Sequence, residues 1–206
     1  MQSKEHWDRV YATKPTASVS WFQEHAEQSL RLIRSTGVPR SGSIIDVGGG
    51  ASTLVDDLLT EGYSALTILD LSTSALNAAK QRLGPLAARV QWIEASITEV
   101  DLPVHAYDVW HDRAVFHFLT DPAARQAYVA AVLRSVKPGG HVIVATFDKD
   151  GPTQCSGLPV MGYSADELHA EFGAPFTLLA HVKEAHHTPF GTVQKFVYCY
   201  CRKSSS

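Results

Sequence analysis

Cysteine is scarce: the 206-residue chain holds three, Cys155, Cys199 and Cys201. An odd count with no C-x-x-C spacing argues against a disulfide framework and a structural zinc site, and it points to a reduced, cytoplasmic protein. An excess of either charge is also lacking. Lys and Arg number 18 against 21 Asp and Glu, a net charge of −3, so the basic footprint of general nucleic-acid binding is missing. No apolar run approaches the roughly 20 residues that a membrane span requires. The opening Met1-Gln2-Ser3-Lys4-Glu5-His6 has no apolar signal core. Repeats, low-complexity stretches and an interior linker are absent, and only Ser204-Ser205-Ser206 reads as a frayed end. What is present is 45% hydrophobic content, enough to exclude disorder. The length fits one domain, residues 1–206, that buries a core without staples.

Hydrophobic periodicity alternates strand and helix over most of the chain. Ser43–Val47 is a short apolar strand ended by Gly48-Gly49-Gly50, and Leu54, Val55, Leu58 and Leu59 have helical spacing over about 53–60. Residues 65–70 read as a second strand. Ser72 is the expected N-cap of a helix burying Ala75, Leu76, Ala79 and Leu83, stopped at Gly84-Pro85. Third and fourth strands are expected at Val90–Ile93 and Tyr107–His111. Asp121-Pro122 supplies the N-cap and first-turn proline of a helix running to about Val136. His141–Phe147 is a fifth strand. Such alternation implies right-handed crossovers and a parallel sheet covered on both faces. The pattern then changes: Thr177–His187 and Thr192–Cys201, joined by Pro189-Phe190-Gly191, signal a hairpin. In its second arm Cys199 and Cys201 share a face and read as small buried hydrophobes.

The chemistry concentrates at Asp46-Val47-Gly48-Gly49-Gly50. Glycines allow a sharp turn and a close backbone approach to a ligand, and open α/β sheets bind ligands outside the carboxyl ends of their strands. An ordinary strand–helix turn would also use them. Asp70, 20 residues past Gly50, ends the second strand, where a carboxylate can accept from both hydroxyls of a ribose. Together the two features indicate an adenosine-type ligand. A dinucleotide fingerprint would require glycine where Thr53 stands. Asp46, two residues before Gly48, suits a cationic amino-acid group better than a pyrophosphate. An NAD(P)-dependent oxidoreductase and a non-catalytic cofactor-binding protein remain as alternatives from other classes.

Ile45-Asp46-Val47-Gly48-Gly49-Gly50, Ile68-Leu69-Asp70-Leu71-Ser72 and Val136-Lys137-Pro138-Gly139-Gly140 resemble the class I S-adenosylmethionine-dependent methyltransferases. The motif likeness covers about residues 40–147, and the closing hairpin extends it. The third glycine that many members carry is Ser52 here. The resemblance implies an α/β three-layer sandwich with a Rossmann-like, seven-stranded, mostly parallel sheet of order 3-2-1-4-5-7-6, strand 7 antiparallel. It implies S-adenosyl-L-methionine as cofactor. The glycine loop would hold the methionine and ribose portion, Asp70 the ribose, and Ala95-Ser96-Ile97 the adenine. The cofactor contacts expected on this basis are Trp21, Asp46, Gly48, Gly49, Gly50, Asp70, Leu71, Ser96, Ile97 and His111.

The acceptor side is expected after strand four, at Trp110-His111-Asp112-Arg113-Ala114-Val115-Phe116-His117-Phe118-Leu119. Its Asp-Arg pair is similar to thiopurine-type methyltransferases. Together with Trp7-Asp8-Arg9-Val10-Tyr11 and Trp21-Phe22, it is also similar to lysine methyltransferases of elongation factor and citrate synthase. Asp112, Arg113 and His117 are the catalytic candidates, His111, Asp112 and His117 being possible bases and Arg113 an anchor for an acidic acceptor. A helix from about Ala114 would set Arg113 and His117 on one face. A structural ion pair and a core-edge histidine are the plainer explanations. Ten histidines raise the question of a metal, but His186 and His187 point to opposite faces of a strand and no acidic cluster accompanies the others, so no metal is expected. The reading is an enzyme that methylates an N, S or O nucleophile. A small-molecule acceptor is favoured and a protein lysine is the main alternative, with the oligomeric state open. Residues 4–36 form a helical lid, 43–147 the cofactor-binding core, and 148–203 an acceptor loop, centred on Gln154 and Cys155, with the closing hairpin.

Overall fold

Alternate residues of the first strand, β1 (Ser43–Val47), face opposite ways, as strand geometry demands. Ile44 enters one apolar cluster, while Ile45 and Val47 enter another. The same division runs through the sheet, with Ile68, Val109 and Ile143 on one side and Leu69, Trp110 and Val144 on the other. A sheet apolar on both faces must be covered on both. Helices α1 (Lys4–Thr13), α2 (Glu27–Ser35), α3 (Leu54–Thr60), α4 (Thr73–Leu83), α5 (Pro122–Ser135) and α6 (Ala165–Phe172) supply the cover. The computed structural model describes residues 4–13 and 15–205. Met1, Gln2 and Ser3 of the opening hexapeptide and Ser206 of the expected frayed end lie outside them. Ser204 is not frayed, since its amide donates to Pro175 O at 2.9 Å.

The remaining strands are β2 (Ala65–Asp70), β3 (Val90–Glu94), β4 (Tyr107–Arg113), β5 (Val136–Phe147), a small ribbon of β6 (Gln154–Cys155) and β7 (Leu158–Pro159), then β8 (Phe176–His187) and β9 (Val193–Lys203). Seven of them form one sheet in the order β3-β2-β1-β4-β5-β9-β8. Strands β1 to β5 pair in parallel, while β9 runs antiparallel to both β5 and β8. This is the expected Rossmann-like methyltransferase architecture, the two-residue ribbon set aside.

Local chemistry explains the boundaries. Ser72 caps α4 by accepting from Ala75 N, and Asp121 caps α5 by accepting from Ala123 N at 3.0 Å, as the sequence predicts. Two expectations fall short at the β4–β5 pair. Strand β4 continues to Arg113, and β5 starts at Val136 rather than His141. The register jumps from Tyr107 opposite Val136 to Val109 opposite His141, so β5 carries residues 137–140 as a bulge in which Gly139 takes φ +75°. In the hairpin, His186 is buried and its Nε2 donates to Ser20 O at 2.7 Å, whereas His187 is exposed. Cys199 and Cys201 face the same core with sulfurs 3.2 Å apart. Among the described residues no helix is long and apolar enough to cross a membrane.

Candidate active site

The carboxyl ends of β1, β2 and β4 meet at the glycine loop. Gly48 takes φ +71° and donates its amide to Leu69 O at 2.7 Å. A Cβ there would run into the Val115 side chain. One on Gly49 would come within 2.5 Å of Asp46 Oδ2, and one on Gly50, at φ +23°, would strike the Asp70 carboxylate. The loop is therefore threaded between two carboxylates, and each glycine is there because a side chain would not fit.

Asp70 is buried, and its Oδ1 accepts from Ser72 N at 2.8 Å. Burial pushes its pKa up to about 7; the Asp46 charge adds to this, while the Ser72 and Leu71 amides oppose it. Asp70 lines a cavity of about 210 Å³ together with Leu71, Ser96, Ile97, Trp7, Tyr11, Trp21, Phe118, Arg113 and Cys155. A smaller cavity of about 50 Å³ is lined by Ser29, Asp46, Gly49, Thr53 and His111. Tyr11, Trp21, Gly48 and Arg113 border both spaces, so one cleft runs past the glycine loop from Asp70 to Asp46. Of the ten expected cofactor contacts nine line this cleft. Gly50 lies behind it, against Asp70.

The acceptor candidates separate. Arg113 reaches the cleft: its Nη1 donates to Trp21 O at 3.2 Å, its Nε to the Tyr198 hydroxyl at 3.1 Å, and its Nη2 faces Glu184 at 3.5 Å. With Glu184 beside it and Phe196 4.3 Å beneath its guanidinium, its charge already has a partner within the protein. Asp112 is fully buried and does not line the cleft. It accepts from Val115 N at 2.9 Å, Phe116 N at 3.1 Å and Tyr128 OH at 2.7 Å, and burial lifts its carboxyl to about 7. The helix expected from Ala114 does not form. Ala114 adopts φ +74° and only a 3-10 turn at Phe116–Phe118 follows, because the Asp112 carboxylate organises the chain into a tight turn. His117 consequently points into the core, where its Nδ1 accepts from Phe147 N at 3.2 Å between the rings of Phe118 and Phe147. Burial and the Arg113 charge depress its pKa to about 3. His117 is thus neutral and withdrawn from the cleft rather than beside Arg113.

Several residues went unnoticed in the sequence. Ser29 of α2, buried at the foot of the smaller cavity, binds His111 Nε2 at 2.9 Å. Its one signal is a hydroxyl on the apolar face that Leu30 and Ile33 share. Tyr198 and Glu184, 3.1 Å apart, come from the hairpin and carry no local signal at all.

Residues 44–140 match the family model described as a methyltransferase domain. A curated relative, EEF1A lysine methyltransferase 2 of Homo sapiens, is 23% identical over 195 residues, covering 86% of this chain and 75% of its own length. Ubiquinone biosynthesis O-methyltransferase of Vibrio atlanticus is 28% identical over 108 residues, which is 52% of this chain and 44% of that one, so the chain spans less than half of that relative. Among solved structures, the 1,6-didemethyltoxoflavin-N1-methyltransferase of Burkholderia thailandensis, with 1,6-didemethyltoxoflavin and S-adenosylhomocysteine bound, superposes with TM-score 0.71 at 20% identity, covering 98% of this chain and 87% of that one. The fold, the glycine loop between two carboxylates and the matched segment define a methyltransferase. Residues 44–140 carry the methyltransferase-domain match, and the chain as a whole shares its fold with the solved methyltransferase on which it superposes.

Proposed function

We propose that the enzyme methylates an N, S or O nucleophile on a small-molecule acceptor, with the N-terminal segment closing over the cofactor. The cleft fits S-adenosylmethionine on this chain's own features: a glycine cradle that any Cβ would fill, a buried carboxylate at each end, and an apolar passage between. Asp70 accepts from the ribose hydroxyls, Ser96, Ile97 and Leu71 flank the adenine, and the Gly48–Gly50 loop with Asp46 and His111 receives the amino-acid end. Bound there, the cofactor supplies an electrophilic methyl group on a sulfonium. What the chain must do is align the acceptor with that methyl and keep water out.

The observation that carries the acceptor class is the aromatic wall of the larger cavity, whose Tyr11 and Trp21 also border the smaller one. Trp7 meets Phe118 and Trp21 edge to face with ring centroids 5.2 Å and 5.8 Å apart, and Tyr11 meets Trp21 at 6.2 Å. Such walls suit a compact, largely apolar acceptor. The three free, buried cysteines fit a reducing cytoplasm. A protein lysine is the second reading, favoured by the alignment to the human lysine methyltransferase, which reaches well beyond the 44–140 core. Incubation with methyl-labelled cofactor and either a metabolite extract or a denatured proteome separates the two. Label is expected in the small-molecule fraction, and label confined to protein lysines would overturn the proposal.

A further inference from the structure

The two oxygens of Asp46 have different neighbours. Oδ2 lies under the glycine loop at Gly49, while Oδ1 is 2.7 Å from His111 Nδ1. The other ring nitrogen, Nε2, is 2.9 Å from the Ser29 hydroxyl. All three residues are at most 3% exposed, and all three border the smaller cavity. Buried polar groups need partners, and with a neutral imidazole one proton arrangement satisfies all three side chains. A carboxylate accepts and cannot donate, so His111 Nδ1 carries the hydrogen and gives it to Asp46. Nε2 then holds a lone pair and accepts from Ser29. Asp46 thus fixes the tautomer, and the tautomer makes the Ser29 hydroxyl the donor that holds the ring in place.

We propose that Ser29 and His111 are positioning residues for cofactor recognition: the Ser29–His111–Asp46 relay holds the carboxylate in the orientation that receives the cofactor's α-ammonium. The proposal rests on the cofactor assignment above and adds a selection to it, for ligands that carry a protonated amine at this end. It also assigns a role to α2, which lies outside the matched 44–140 segment and supplies the first member of the relay. Burial alone does not explain the arrangement, since an apolar residue at position 29 or 111 would fill the same space without placing a donor on Asp46.

The test compares two ligands by calorimetry: S-adenosylhomocysteine, which keeps the amino-acid end, and methylthioadenosine, which lacks it. In the wild type the first should bind more tightly. His111→Leu should weaken S-adenosylhomocysteine by about tenfold or more, the loss expected when a hydrogen bond to a charged group is removed, and leave methylthioadenosine unchanged. His111→Asn, whose amide nitrogen can stand in for Nδ1, should recover most of the loss. Ser29→Ala should fall between wild type and His111→Leu, and it keeps the question answerable if the leucine variant fails to fold. Equal losses for both ligands, or unchanged S-adenosylhomocysteine affinity in both His111→Leu and Ser29→Ala, would overturn the relay. A wild type that binds methylthioadenosine as tightly as S-adenosylhomocysteine would also overturn it, with the adenosine half of the assignment intact. Failure of the wild type to bind either ligand would instead remove the cofactor assignment, and the relay with it.

Discussion

The Asp8 carboxylate of α1 accepts from the Ser72 hydroxyl at 2.8 Å, pinning the N-terminal helix to the first turn of α4. Ser74 N donates to the same oxygen at 3.1 Å, and Ser72 N in turn donates to Asp70. Helix α1 is therefore tied next to Asp70, the carboxylate proposed to receive the ribose. If residues 4–36 form a lid, S-adenosylhomocysteine should slow proteolysis between residues 12 and 20, and Asp8→Ala should speed it in the unliganded protein. Equal cleavage with and without ligand would count against a lid.

Asp70 should show opposite effects on stability and binding. Its folded pKa of about 7 lies above the unfolded reference of about 3.9, so its contribution favours the fold at low pH and is lost as pH rises through about 7. Asp70→Asn should accordingly melt higher than wild type at pH 8, with the difference shrinking toward pH 4. The same substitution should weaken S-adenosylhomocysteine by about 2 kcal/mol through loss of charged hydrogen bonds. Thermal melts across pH and calorimetry check the two halves separately.

Asp112 is expected to matter for folding rather than for catalysis. Asp112→Ala orphans three donors, Val115 N, Phe116 N and Tyr128 OH, each worth about 1–3 kcal/mol when left buried and unsatisfied. Urea denaturation should show a loss of several kcal/mol. A variant of wild-type stability that has lost turnover would restore Asp112 to a catalytic role.

His117 should leave no mark on the activity profile near neutrality. With a folded pKa of about 3 it is already neutral at pH 6–7, so a limb there should persist unchanged in His117→Gln. Its depressed value contributes stability above about pH 6.5, progressively lost as pH falls toward 3. The glutamine variant should therefore unfold less steeply over that acid range. A neutral activity limb that vanished in it would refute this placement.

Much of the frame was legible because it rests on short-range chemistry. The bounds of β1 and β2, the Ser72 and Asp121 caps and the burial of Ala75, Leu76, Ala79 and Leu83 are all written in neighbouring residues. The glycine loop and Asp70 were legible for the same reason. The turn after β4 was not, since a helical pattern from Ala114 was overridden by one carboxylate capping two amides. Ser29, Glu184 and Tyr198 meet Arg113 and His111 only through tertiary pairing of α2, β4, β8 and β9, and no spacing along the chain encodes that.

The two carboxylates astride Gly48–Gly50 also make ligand binding a proton-exchange event. An Asp70 that titrates near neutrality, raised in part by Asp46, is partly protonated in the free enzyme at pH 6.5. Ribose hydroxyls donating to it favour its charged form, and an ammonium beside Asp46 relieves the repulsion between the pair. Binding near neutral pH would then release a fraction of a proton into solution. The apparent enthalpy of binding should vary with the ionisation heat of the buffer, and the slope of that dependence counts the protons that Asp70 gives up.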